Sequence, residues 1–420
     1  MLDIKFIREN PKLVEKKAKQ KGYQVDIDRL LTVDKKRRKL IEEIDGLRSQ
    51  RKRVAEKRDE AKGQLIKKDL REKEDQLERY QEEFYTLIRQ IPNLPLEDVP
   101  IGKDETENQP IRKWGEPKKF SFPVKDYDEL GKTLGITDTE TASKVTGTRF
   151  GYLKGQGVLL EFALIRFALD LLTNEGRLRK IAGDLNAKPF IPVIPPVMIK
   201  PQVFDKMARL EPKEERYYIP SDDLYLIGSA EHTLGPMHME ETLKEKDLPK
   251  RYVGFSTSFR REAGSYGKDI KGIFRVHQFD KLEIESFTTS GDSVKEQDFI
   301  VAIQEHLMRS LEIPYQVVVI CSGDMGGPDA RQIDIEAWFP SQNKYRETHT
   351  ADLMTDYQAR RLETKVRRND GKVEFVHMND ATVFAGRTLL AILENYQAKD
   401  GSVLVPKVLQ KYTGFTKITS

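Results

Sequence analysis

The run SFRREAGSYGKDIKGIFRVHQFDKLEIESF, from Ser258 to Phe287, sets arginines and a glutamate ahead of a loop of glycines and cations, then an aromatic and an alternating tail. Arg260, at the end of a strand-like segment, fixes a guanidinium in one place. Its planar fork suits a phosphate oxygen or a carboxylate better than an ammonium does. Glu262, two residues on, falls on the same face of an extended chain and can accept from an exocyclic amine. Phe279 on the return strand offers a stacking face to a flat base. Arg275, in a loop with Lys268 and Lys271, can reach outer phosphates. Any one of these residues alone reads as part of a charged surface hairpin. As an ordered set they suit a polyphosphate that carries a base.

Three more segments supply complementary chemistry. In FAGRTLLAILENYQ, Gly386 allows a close backbone approach, and Arg387 stands in the first turn of a helix. A cation there opposes the macrodipole unless an anion is present; otherwise its stem simply covers apolar surface. In KYRETHTADLMTDYQARR, Glu347 and Thr350 are oxygen ligands of the kind Mg²⁺ takes beside phosphates. His349 lacks a partner in the sequence and reads as a packing or orienting residue. In DLYLIGSAEHTLGPMH, Ser229 and Glu231 pair a hydroxyl with a carboxylate, and Glu231 with Glu283 can face an amino group. Taken in isolation, both acids read as solvated.

The elements that must hold these residues divide the chain of 420 in two. Between Asp34 and Ile91 apolar residues recur at Leu40, Ile44, Leu47 and Val54, then at Leu70, Leu77, Tyr80, Phe84, Leu87 and Ile91. Steps of three, four and seven predict two helices paired as an antiparallel coiled-coil arm, each reaching roughly 40 Å, with Gly63 at the turn. The proline-rich IPNLPLEDVPIGKDETENQP reads as a linker. Beyond it, GVLLEFALIRFALDLL and RTLLAILENYQ read as helices, while FIPVIPPVMI, RYVGFSTSF, FDKLEIESF, YQVVVICSG and QIDIEAWFP read as strands. The fold class is therefore α+β: an antiparallel β-sheet core flanked by helices, with a helical arm at the N-terminus. The expected domains are 1–100 and 101–420.

A net charge of +4 confines any nucleic-acid surface to a local patch. Arg48, Arg51, Lys52, Arg53, Lys57 and Arg58 near the arm's turn form the candidate. Six histidines and the lone Cys321, in an apolar strand, exclude a disulfide framework and a zinc cluster. No apolar run reaches membrane-span length and no signal-peptide pattern opens the chain, so a cytoplasmic protein without a membrane partner is expected.

FRREAG with HQFDKLE resembles motif 2 of the class II aminoacyl-tRNA synthetases, GRTLLAILENYQ resembles motif 3, and FIPVIPPVMI resembles motif 1. The arm, IPNLPLEDVPIG, KWGEP, DYQARR and ILENYQAKDGSVLVPKVL are similar to the seryl-tRNA synthetases within that class, so the resemblance spans essentially the whole chain. It implies that serine and ATP form seryl-adenylate, and that the seryl group then passes to tRNA(Ser), with the selenocysteine tRNA as a second candidate acceptor. Motif by motif, it implies that Arg260 and Arg387 are catalytic. ATP would be bound by these two with Arg261, Glu262, Arg275, Val276, Phe279, Glu347, Thr348, His349 and Thr350, and Mg²⁺ by Glu347 and Thr350. Serine would be held by Ser229, Ala230, Glu231, Arg260, Glu283 and Asn379. The basic residues of the arm would grip tRNA, DNA would not be a partner, and motif 1 would form a homodimer. The chain departs from the family pattern in three places: Ser229-Ala230-Glu231 stands for Thr-Ala-Glu, and ETHTAD and NDATVFAG replace serine-rich and glycine-rich segments. The pocket hydroxyl falls at Ala381 by ungapped counting from Arg387, or at Thr382 with a shift of one. The alternatives are a synthetase-like protein that activates another small amino acid, charges a carrier protein, or acts only in binding or regulation.

Overall fold

The structure is a computed structural model and describes residues 1–56, 59–263 and 272–420. It divides into two compact units, Met1–Pro95 and Leu96–Ser420. The division falls before residue 100 because the intervening segment packs with the second unit. The Leu96 amide donates to the Ala330 carbonyl, and Leu96 and Val99 pack with Val318, Ile320 and Met325.

In the first unit, α1 (Ile4–Glu9) and α2 (Pro11–Gln20) precede two long helices, α3 (Ile27–Glu56) and α4 (Glu60–Arg89). The seam follows the predicted spacing: Ile44, Ile66 and Leu70 pack with Leu47, Val54 and Leu77, and nearer the base Leu30 and Val33 meet Phe84 and Ile88. Ion pairs cross the two helices at Arg48–Glu74 (2.8 Å) and Lys73–Glu43 (2.5 Å). The expected turn at Gly63 is corrected. Asp59 caps α4 by accepting from the Lys62 amide, so Gly63 lies inside the helix, where its missing side chain faces open space. The Asp59 carboxylate satisfies an otherwise unpaired helix donor, and that fixes the start of the helix.

The second unit is built on an eight-stranded sheet of β1 (Gln109–Trp114), β2 (Ile191–Val193), β3 (Lys250–Phe259), β4 (Gln278–Thr288), β5 (Tyr315–Val319), β6 (Arg331–Phe339), β7 (Lys344–Thr355) and β8 (His377–Ala385). Their order across the sheet is β1-β5-β6-β7-β8-β4-β3-β2. Every neighbouring pair is antiparallel except β2 with β3. β2 is the start of FIPVIPPVMI. Pro195 and Pro196 interrupt the run, so Met198–Ile199 joins a separate small sheet. A proline cannot donate to a ladder, which keeps such a segment at an edge.

Helices α5 (Gln156–Leu172), α6 (Ser293–Ser310) and α7 (Gly386–Asn395) carry the apolar residues of the main core. Leu282 and Ile284 of β4, Ile333 and Ile335 of β6, Ala351 of β7, and Ala381 and Val383 of β8 join that core. Because strand side chains alternate, their neighbours are sent to the opposite face. Gln297 and Gln304 of α6 anchor the sheet by donating to the carbonyls of Arg331 and Ala351, and of Thr350 and Thr382, at 2.8–2.9 Å. Cys321 is buried, and no described helix is long and apolar enough to cross a membrane.

Candidate active site

The polar face of β4, β7 and β8 floors a cavity of about 340 Å³, walled by the β3–β4 connection and the start of α7. Arg260, Glu262, Arg275 and Val276 line it from the connection, Phe279 from the start of β4, Glu347, Thr348 and Thr350 from β7, and Gly386 and Arg387 from α7. Arg260 and Glu262 arrive there by a different route from the one the spacing suggests. β3 ends at Phe259, and Glu262 sits in the left-handed region at φ 53°, so a turn rather than strand alternation aims its carboxylate. Lys268 and Lys271 lie outside the described residues.

The cationic groups are held by carboxylates and rings. Arg275 pairs with Glu262 at 2.9 Å, and Arg387 with Glu347 at 2.9 Å. Arg260 donates to the Gly228 carbonyl and lies over the Phe279 ring, 5.4 Å from its centroid. Phe274, which the sequence reading missed, also lines the cavity, and its ring meets the guanidinium groups of both Arg346 and Arg387. A Cβ on Gly386 would meet nothing within 4 Å, because the first residue of α7 opens onto the cavity.

Glu347 and Thr350 are three apart, a spacing that an unbroken strand would send to opposite faces. The register between β6 and β7 shifts between Ile335 and Glu336, where Thr348 is the extra residue. This bulge turns Glu347 and Thr350 to the same cavity. It also turns His349 inward. The His349 ring is buried against Phe384, with Thr348 Oγ1 2.8 Å from Nδ1, and burial lowers its pKa to about 4. The His349 side chain is thus a neutral, buried group that does not itself line the cavity.

A second cluster was largely illegible in the sequence. Arg209 lies 3.3 Å from Glu231, 3.1 Å from Asp329, 3.4 Å from Asp352 and 3.3 Å from Asp380, and all five residues line the cavity. Lys281 bonds Glu283 at 2.7 Å and Ser229 Oγ at 3.0 Å. Burial raises the Glu231 carboxyl, but Arg209, with His232 and Lys281, outweighs it and holds the group well below the ordinary range. Burial pushes Glu283 up to about 7 despite Lys281. It also drives Glu285, Asp352 and Asp380 well above the ordinary range, with neighbouring carboxyls adding to the effect. Lys281 and Glu285 continue the period of two that begins at Phe279, so their face was readable. Arg209 comes from a loop, and nothing in its neighbours signalled the role.

Thr382, not Ala381, presents a side chain to the cavity, because Ala381 packs in the core. Asn379 is buried and donates to the Ser293 carbonyl, and Ala230 packs in a second apolar cluster. Neither residue lines the cavity, nor does Arg261, whose guanidinium lies over Tyr217. Ser229 sits behind the lining, bonded to Lys281 and to Glu231 at 3.2 Å. In the arm, Arg48 is committed to Glu74 and Asp45, while Arg51, Lys52 and Arg53 are exposed; Lys57 and Arg58 lie outside the described residues.

Comparison with known proteins adds findings of three kinds. Residues 1–95 match the family model of the seryl-tRNA synthetase N-terminal domain, and residues 216–396 match the class II tRNA synthetase core domain (G, H, P, S and T). The chain is 42% identical to a serine–tRNA ligase of Dictyoglomus turgidum, across 100% of this chain and 99% of that one. Among solved structures it is similar to the seryl-tRNA synthetase of Pyrococcus horikoshii complexed with ATP, with TM-score 0.91 and 40% identity over 100% of this chain and 99% of the other. It is also similar to the cytoplasmic serine–tRNA ligase of Naegleria fowleri in complex with AMP, with TM-score 0.88 and 32% identity over the same shares.

Proposed function

The chain belongs to the seryl-tRNA synthetase family, and from that premise we propose that its cavity activates serine with ATP and delivers the seryl group to tRNA(Ser). The single observation that supports this best is the meeting, in one cavity, of the arginine set Arg260, Arg275 and Arg387, the Phe279 ring and an acidic pocket. Phe279 stacks on the adenine and Glu262 accepts from its amine. Arg260 holds the α-phosphate, and Arg275 and Arg387 exchange their carboxylate partners for the outer phosphates. The carboxylate of serine attacks the α-phosphorus in line and pyrophosphate leaves. Catalysis is then positioning plus neutralisation of charge on the departing group, with no covalent nucleophile from the protein. A hydroxyl of the terminal adenosine next attacks the seryl carbonyl and AMP leaves.

In the amino-acid pocket, Glu231 and Glu283 receive the serine, and Thr382 supplies the pocket hydroxyl that sequence counting left open. Mg²⁺ fits the donors at β7. Glu347 and Thr350 offer hard oxygens, and Asp334 stands opposite Thr350 with its carboxyl raised by burial and by Glu347, an acidic excess that suits such a cation. Bound there, Mg²⁺ would neutralise phosphate charge. Arg51, Lys52 and Arg53 grip the tRNA backbone through phosphates and shape, since A-form grooves resist side-chain reading. A second copy covers the sheet edge at motif 1, a reading supported by Ile194, which is 86% exposed beside β2. A cytoplasmic location suits a protein that draws on ATP and tRNA.

The test measures both half-reactions on one preparation: pyrophosphate exchange into ATP with each of the twenty amino acids, and charging of tRNA. Serine should stand alone in exchange; a different amino acid in that place overturns the assignment. Replacing residues 34–91 by a short linker should preserve exchange while raising the tRNA concentration needed for charging by about 10²-fold or more. Unchanged charging by the truncated chain overturns the role of the arm.

A further inference from the structure

The acidic pocket holds more carboxyl groups than a serine can pair. Five of its lining carboxyl groups, from Glu231, Glu283, Asp329, Asp352 and Asp380, stand against two cations, Arg209 and Lys281. Ligand-capable oxygens of Glu231, Glu283 and Asp380 lie within 4.8 Å of one another. An independent observation marks where a donor is wanted. Asp352 lines the cavity yet is only 7% exposed, and its Oδ1 has no hydrogen-bond partner among the described residues. Behind this group Glu285 is fully buried, and both of its carboxyl oxygens are likewise without a hydrogen bond.

A buried acceptor left unpaired is costly, and a buried carboxylate more so. The α-ammonium of serine supplies one positive charge and its hydroxyl one donor. An ammonium in place of that hydroxyl is nearly the same size, and it brings a second charge and three donors to the same spot. We propose that the pocket takes small α-amino acids bearing a second ammonium on the β-carbon, with L-2,3-diaminopropionate as a second substrate for activation. This rests on the seryl reading of the same pocket. The chemistry is unchanged: the α-carboxylate attacks the α-phosphorus, the bond to the β-phosphate breaks, and pyrophosphate carries away the electron pair. The β-ammonium takes no part in the bond changes and sits among Asp352, Asp380 and Glu283.

The experiment uses the full-length protein in ATP–pyrophosphate exchange with serine, L-2,3-diaminopropionate, 2,4-diaminobutyrate and alanine, each at the same Mg²⁺ concentration. Calorimetric titration of the chelator-treated protein with diaminopropionate and with Mn²⁺ runs alongside. Diaminopropionate should be activated with kcat/KM within about tenfold of serine and about 10²-fold above alanine, which keeps the α-ammonium but brings no donor on its β-carbon. D352N should lower the ratio of diaminopropionate to serine by about tenfold, because it removes the charge but keeps the shape. Exchange with serine while diaminopropionate stays at the alanine level overturns the inference and leaves the seryl reading standing. Tight Mn²⁺ binding that diaminopropionate does not displace assigns the surplus acids to a metal and overturns it as well. No exchange with either amino acid removes the seryl reading and this inference with it. The wild-type panel decides the matter even if D352N fails to fold.

Discussion

Replacing Arg209 by methionine keeps much of the side-chain volume and removes a guanidinium that lies 3.3, 3.1, 3.4 and 3.3 Å from Glu231, Asp329, Asp352 and Asp380. At such separations one contact is worth about 5 kcal/mol gross for an effective dielectric of ~20. Most of that offsets the desolvation of the buried charges, and truncating one partner of a buried pair costs about 3–5 kcal/mol net. R209M should therefore lose about 3–5 kcal/mol at about pH 8. Arg209 is the largest influence holding Glu231 well below its ordinary range, against burial. In the wild type, that depressed carboxyl adds stability above its unfolded pKa, and the gain is lost as pH falls through the folded value. In R209M burial dominates and the folded pKa rises above the unfolded one, so stability is lost as pH rises instead. The deficit relative to wild type should thus be several-fold smaller at about pH 5 than at about pH 8. Urea unfolding of wild type, R209M and R209M/D352N at both pH values measures this, and the double variant should regain about 1 kcal/mol or more by deleting one stranded acid. A loss under about 1 kcal/mol at the higher pH, or equal losses at both, would refute the view of Arg209 as counter-ion of the pocket.

Arg387→Ala removes a charge-assisted donor near the leaving pyrophosphate and should slow exchange by about 10²–10³-fold; a near-normal rate contradicts the phosphate role. Glu283, raised by burial to about 7, becomes ionised as pH climbs through that value, so the KM for serine should fall between about pH 6 and 8 while the affinity for ATP alone stays level. Glu283→Gln should flatten that profile, and an unaltered profile would assign the titration elsewhere. Burial, with Asp280 beside it, lifts Glu161 to about 7 as well, so its contribution is intact below the unfolded pKa and lost as pH rises through 7. Glu161→Gln should raise the stability by about 1–2 kcal/mol at about pH 8, after allowance for solvent screening, and leave it unchanged at about pH 5, by thermal melting.

By itself the sequence determined whatever depends on local spacing. The helical pair of the arm was legible because Ile44, Leu70, Phe84 and their partners repeat at the period of a coiled-coil seam. The strands β3 and β4 and the helix α7 were legible because alternation and a glycine-led apolar face are local patterns. The same period put Phe279 and Glu283 on one face, and both line the cavity. Tertiary structure decided what crosses between elements. The bulge at Thr348 arises from pairing with β6, and only that pairing brings Glu347 and Thr350 together while turning His349 into the core. That Thr382 rather than Ala381 reaches the cavity was fixed by which face of β8 meets the helices. The Arg209 cluster draws carboxylates from residues 231, 329, 352 and 380, which are far apart in the chain. No local pattern carries such a convergence, because an electrostatic contact depends on distance in space and on burial, and both are set only once the sheet has closed over its core.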